Sequence, residues 1–310
     1  MAPSLVSLLR RATLAFLVVV LGACEPGQEN GEEILKLAYL PSEEDTEERM
    51  EAFQLLASHL STFIKQPVEV IQASSYAPTI EAMRAKKIDI IRSGGSFTYM
   101  IAHEKAKAEA LVAVGTRSGG PGLYQSALVT AADSGIRSID DLRAQSKEID
   151  FAFVDPASTS GHLVPRAFLE TQGINPEGDF KQLIFTMSHL NSVMTIRSGK
   201  VRAGAISLST YNRMVEQNRI DPKELRILWT SPPIPTGPVM VRGDLPPETK
   251  ASIQAAYLAL NDDNGPLMAS MRRVYRNEDL KFFPAQDQDW NGLRGIAYNL
   301  ASMELLNPEG

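Results

Sequence analysis

Ser158-Thr159-Ser160-Gly161 is the stretch of this sequence best equipped to bind something. It follows an apolar run, Ile149 to Val154, that reads as a buried strand. It precedes Leu163-Val164-Pro165-Arg166-Ala167-Phe168-Leu169, which reads as a helix. Backbone N–H groups at a helix start lack intrahelical partners and attract anions, and Ser and Thr hydroxyls add donors. The same residue types also serve as ordinary helix caps. This stretch alone leaves both readings open.

Four more clusters stand in the same relation to a strand and a helix: Ser74–Tyr76, Gly94–Tyr99, Ser188–Ser192 and Ser207–Tyr211. In open α/β sheets ligands bind along that edge, so the repeated pattern favours a binding crevice. The candidate ligand-binding residues are Tyr76, Ser96, Tyr99, Ser158, Thr159, Ser160 and His189. Tyr124 lies close to a predicted crossing and is left unassigned. His59 and His103 read as ordinary helix residues, and Asp89 as a structural acid inside a strand.

Catalytic and cofactor patterns are thin. The chain has no metal-ligand spacing, no nucleophile elbow, no P-loop and no dinucleotide fingerprint. No catalytic residue, metal or cofactor is expected. A Ser158–His189 hydrolase would lack a third, orienting group. The formal net charge of −6 makes the chain a poor match for nucleic acid. An anion would have to be held by local donors.

Strand-like and helix-like segments alternate through most of the 310 residues, which predicts parallel α/β sheets. The first strand is expected at Leu35–Leu40, a helix at about Glu47–Ile64, and a mostly helical tail over Leu267–Leu306. Pro232, Pro233, Pro235 and Pro238 stiffen a second crossing between two lobes. The predicted lobes are discontinuous: residues 34–122 with 239–310, and residues 123–238.

Residues 1–23 read as a secretory signal, with Arg10 and Arg11 ahead of the apolar Leu14–Leu21 segment. Leu21-Gly22-Ala23-Cys24 resembles the lipobox of bacterial lipoproteins, which implies a lipid on Cys24. Cys24 is the single cysteine, so the chain can form no internal disulfide. Residues 24–33 read as a polar tether.

Taken together, Tyr76 with Ile80-Glu81-Ala82-Met83, Gly94–Tyr99, Ser158–Pro165, Ser188-His189 and Ser231–Pro235 resemble the PhnD-like phosphate, phosphite and phosphonate-binding proteins of ABC importers. The resemblance covers about residues 34–300. It implies a type II periplasmic-binding-protein fold, with two α/β lobes joined by a two-strand hinge. It also implies a small phosphorus oxyanion held at the Ser158–Gly161 helix start. Implied partners are an ABC permease and ATPase, with the protein a monomer lipid-anchored in the periplasm or cell envelope. The alternatives are a ligand-sensing lipoprotein that works with a signalling partner or, as a remoter option, an enzyme on this scaffold. Two departures bear on the ligand. Ile91-Arg92-Ser93 stands where the family is apolar or aromatic. Gly237 stands where aminophosphonate binders carry an acid, which points away from 2-aminoethylphosphonate.

Overall fold

The computed structural model describes residues 34–40, 47–92 and 94–299. The predicted signal, Cys24 and the tether lie outside them. So do residues 41–46, Ser93 and the end of the predicted helical tail.

The first half of the chain supplies β1 (Leu35–Tyr39), α1 (Glu47–Ile64), β2 (Val68–Gln72), α2 (Tyr76–Arg84), β3 (Ile90–Arg92), α3 (Ser96–Ala106), β4 (Glu109–Thr116) and β5 (Gly120–Pro121). A short strand β6 (Leu123–Tyr124) leads out. The middle of the chain supplies β7 (Ser126–Ala131), α4 (Ile139–Gln145), β8 (Asp150–Phe153), α5 (Val164–Thr171), α6 (Pro176–Asp179), β9 (Gln182–Phe185), α7 (His189–Arg197), β10 (Ala203–Ser207), α8 (Leu208–Glu216) and β11 (Leu225–Thr230). The chain returns through β12 (Ile234–Pro235). It finishes with β13 (Val239–Val241), α9 (Pro247–Ala259), α10 (Pro266–Tyr275), β14 (Leu280–Pro284) and α11 (Asn291–Asn299).

These strands form two main sheets, one to each α/β lobe. The first runs β14-β4-β13-β3-β1-β2, with β5 folded onto β4. The second runs β11-β7-β10-β8-β9. Between them β6 and β12 pair antiparallel, Tyr124 against Ile234. The expected all-parallel sheets are in fact mixed. β1, β2 and β3 are mutually parallel in one sheet, and β8, β9 and β10 in the other. β13, β4, β14, β7 and β11 run antiparallel to their neighbours. β7 and β13, the strands that enter a sheet from the β6 and β12 crossings, run against the parallel strands, and β14, after α10, runs against β4.

Each sheet is covered on both faces, so its strands are apolar on both sides. In the second sheet Phe151 and Phe153 face Leu142 and Leu169, while Ala152 faces Val193 and Ile196. Full burial of side chains such as these phenylalanines contributes about 1.5–3 kcal/mol each. One apolar cluster joins the lobes: Ala38, Ile91, Phe97 and Met240 of the first pack in one body with Val154, Ala157 and Leu163 of the second. The tail is a correction as well. The alternation in Leu280-Lys281-Phe282 makes β14, with Leu280 and Phe282 turned into the core. The apolar run Leu123–Val129 is broken at Gln125 into β6 and β7, and the helices after β3, β9 and β10 begin at Ser96, His189 and Leu208.

Candidate functional site

Strand direction decides what meets at the cleft. β8, β9 and β10 are parallel, so the segments after them, starting at Val154, Thr186 and Leu208, share one edge. β7 runs opposite to β10 and pairs Ser126 with Ser207, so Tyr124 arrives at that same edge. In the first sheet the segments after β2 and β3, together with Thr236 ahead of β13, share the corresponding edge.

The segment after β8 is pinned at almost every residue. Asp155 Oδ1 accepts from Ala157 N–H at 2.8 Å, and the Asp155 carbonyl accepts from Ser158 N–H at 2.9 Å. His162 Nδ1 lies 2.8 Å from the Pro156 carbonyl. Thr98 Oγ1 donates to the Ala157 carbonyl at 2.9 Å, and Phe97 N–H donates to Thr159 Oγ1 at 2.8 Å. Ser158 Oγ caps the turn by accepting from Gly161 N–H at 3.0 Å. Ser126 Oγ donates to the Ser160 carbonyl at 2.6 Å. The turn itself, Thr159–Leu163, is a single π turn, and its first intrahelical bond runs from Leu163 N–H to the Ser158 carbonyl. Such turns recur at functional sites. The N–H groups of Thr159 and Ser160 stand ahead of that bond and are among the donors this network leaves over.

Tyr124 closes the turn from the side. Its hydroxyl hydrogen-bonds to the Ser160 and Thr159 side chains, and burial raises its pKa. It therefore stays protonated and can donate. Sequence reasoning left it unassigned because no local pattern ties the start of β7 to the end of β8. Only the antiparallel register brings them together.

His189 is the first helical residue of α7, not a loop residue. Its Nδ1 accepts from Ser207 N–H at 2.9 Å. That bond assigns the Nε2–H tautomer. The arrangement on the second sheet is thus a set of neutral donors: two amides and the hydroxyl proton that the hydrogen-bonded Ser160–Tyr124 pair keeps to offer, with His189 on the same edge. Such a set suits an oxyanion, because neutral donors and the helix start stabilise charge without a buried ion pair.

The first-sheet candidates behave differently. Tyr76 opens α2, and its backbone N–H donates to Asp155 Oδ2 at 3.2 Å, so it does meet the turn segment. The Ser96 hydroxyl donates to the Pro235 carbonyl and fixes the return crossing on α3. Tyr99 is fully buried, against the expectation that it lines the cleft. Its hydroxyl donates to Asp287 Oδ1 at 2.9 Å and its ring packs 4.9 Å from that of Trp290. Tyr99 therefore docks the tail segment on α3. Its pKa is raised by burial and then by Asp287. Arg92 is buried too, its guanidinium 4.5 Å over the Tyr275 ring.

Gly237 has a steric meaning. A Cβ there would stand 2.2 Å from the Gly94 carbonyl oxygen and 2.7 Å from that of Gly95. Close backbone approach, not the loss of an acid, accounts for this glycine. Among the described residues no group of His, Cys, Asp and Glu is placed to hold a metal ion, and no helix is long and apolar enough to cross a membrane.

Comparison with known proteins gives a consistent set of likenesses. A family profile described as ABC transporter, phosphonate, periplasmic substrate-binding protein matches residues 37–290. The phosphonates-binding periplasmic protein of Escherichia coli is 30% identical over 191 residues, which is 62% of this chain and 56% of the relative's length. The phosphate-import protein PhnD of Mycolicibacterium smegmatis is 29% identical over 279 residues, 85% of each chain. Among solved structures, a binding protein component of an ABC phosphonate transporter from Pseudomonas aeruginosa aligns with a TM-score of 0.74 at 24% identity, covering 90% of this chain and 95% of the other. PhnD1 of Prochlorococcus marinus in complex with methylphosphonate aligns with a TM-score of 0.73 at 20% identity, covering 87% and 98%. At those identities the structural likenesses establish a shared fold.

Proposed function

The chain belongs to the phosphonate-type periplasmic substrate-binding proteins of ABC transporters, and we propose that it captures a small phosphorus oxyanion at the Thr159–Ser160 turn and delivers it to a permease. The observation that carries this reading is the neutral donor set at the turn: the two leftover amides and the hydroxyl proton that the hydrogen-bonded Ser160–Tyr124 pair keeps to offer. Each hydrogen bond from such a donor to a charged ligand contributes about 1.5–3 kcal/mol. Phosphite, phosphate and methylphosphonate are the ligands proposed. The relatives' printed names, phosphonates-binding and phosphate-import, point to the same chemistry.

In this reading the lobes are residues 34–122 with 239–310, and residues 123–238, hinged at the β6–β12 pair. Occupancy favours one relative arrangement of the lobes, and the permease reads that arrangement. The protein binds without turnover. It works as a monomer, lipid-anchored through Cys24, with permease and ATPase subunits as partners.

Calorimetric titration of the wild type with phosphite, phosphate and methylphosphonate tests the assignment. At least one should bind, and His189→Ala, which removes the ring that holds the Ser207 amide on this edge, should weaken that ligand by about tenfold or more. Silence from all three, or wild-type affinity in the variant, would overturn it.

A further inference from the structure

Asp155 is fully buried, and no salt bridge reaches it among the described residues. A desolvated carboxylate is costly unless several hydrogen bonds hold it. Here backbone amides from both lobes do so. Oδ1 takes Ala157 N–H at 2.8 Å, on its own segment. Oδ2 takes Tyr76 N–H at 3.2 Å, on the first residue of α2, and Ala77 N–H also bonds to the carboxylate. The residue placed to cap α2, Ser75, makes no side-chain cap bond. The start of a helix in the first lobe is therefore capped by an acid from the second. Burial raises the Asp155 pKa while these amides pull it down.

We propose that Asp155 is a positioning residue of the oxyanion site, its carboxylate fastening the Thr159–Ser160 turn to the start of α2. The inference rests on that turn being where the ligand sits. Asp155 is four and five residues from the two donor amides, and it sets their direction through Ala157 and Ser158. It also neutralises the α2 helix start. That dipole is spent on a residue of the protein, so the ligand is held by donors of the second lobe.

The proposal has a sign that simple electrostatics does not share. A carboxylate beside an anion site repels the ligand, so its neutral isostere would bind anions more tightly if charge alone mattered. Asparagine, however, places an NH₂ group against one of the backbone donors. Positioning therefore predicts that Asp155→Asn weakens binding. Glutamate keeps the charge and displaces it, so Asp155→Glu is expected to weaken binding as well.

The experiment titrates wild type, Asp155→Asn and Asp155→Glu with phosphite, phosphate and methylphosphonate, with thermal unfolding measured in parallel. The expected result is an affinity loss of about tenfold or more in both variants, equal across whichever anions bind. Unchanged or tighter binding in Asp155→Asn overturns the proposal, as does wild-type affinity in Asp155→Glu. If the wild type binds none of the three, the ligand reading fails and amide exchange on the free protein decides this one. Asp155→Asn must then speed exchange at Tyr76 and Ala77 and, together with them, at Gly161 and Leu163. Acceleration confined to one side of the contact overturns it.

Discussion

Gly161→Ala is expected to destabilise the protein and to abolish high-affinity ligand binding together. A Cβ at this position would lie 2.4 Å from both Cβ and Cγ2 of Val154, and 2.9 Å from Ser158 Oγ. Val154 is fully buried in the cluster that joins the lobes, so it cannot yield. The turn must move instead. Overpacking of this kind costs about 1–3 kcal/mol, and the contact with two buried carbons places it at the upper end. Movement of the turn lengthens the Ser158 Oγ–Gly161 N–H bond and turns the Thr159 and Ser160 amides off their line. Losing one to two charge-assisted bonds amounts to about a hundredfold in affinity. Urea unfolding and calorimetric titration measure the two effects. Wild-type values for both would mean that the turn is looser than its contacts indicate.

The second large effect concerns acid. His162 is buried, and burial first, then the Arg166 guanidinium, pushes its pKa down from 6.5 to about 4. The Pro156 carbonyl and Glu177 act the other way without prevailing. Among the described residues its Nε2 has no hydrogen-bond partner, and its ring stands edge-on to Phe153 and Phe185. The folded state thus resists protonation while the unfolded chain accepts a proton near pH 6.5. Stability from this residue is complete above about pH 6.5 and is lost as the pH falls towards 4. The loss amounts to about 3 kcal/mol over that window. Asp155 contributes with the opposite sign, since its raised pKa favours the folded state where it is protonated. Urea unfolding of wild type and His162→Gln between pH 7.5 and 4 separates the two, because the glutamine retains a donor for Pro156 and does not titrate over that range. The difference between the curves should grow as pH falls. Parallel curves would contradict the burial argument.

The strand-to-helix edges were legible in the sequence because they are local. Short apolar-rich runs ahead of the Ser, Thr and Gly clusters marked β2, β3, β8, β9 and β10, and the cap at Ser158 could be read from one segment. What could not be read is pairwise and long-range. Tyr124 reaches Ser160 only through the β7–β10 register. Asp155 finds α2 across the junction between lobes. Tyr99 carries the signature of a cleft aromatic but is claimed by Asp287, a residue 188 positions away. Gly237 looked like a missing acid until the Gly94 and Gly95 carbonyls filled its side-chain space. Sequence patterns gave the positions of the donors. Which donors remain free is a property of the folded network, since most hydroxyls of the five clusters are used by the protein itself.

The central claim is that Thr159 and Ser160 N–H hold the oxyanion. Amide chemical shifts of the isotope-labelled protein, recorded during titration with phosphite, phosphate and methylphosphonate, test it most directly. The Thr159 and Ser160 amides should move downfield by more than any others, and should saturate with the calorimetric dissociation constant. A ligand that binds while leaving those two amides unmoved, with the largest shifts elsewhere, would contradict the account.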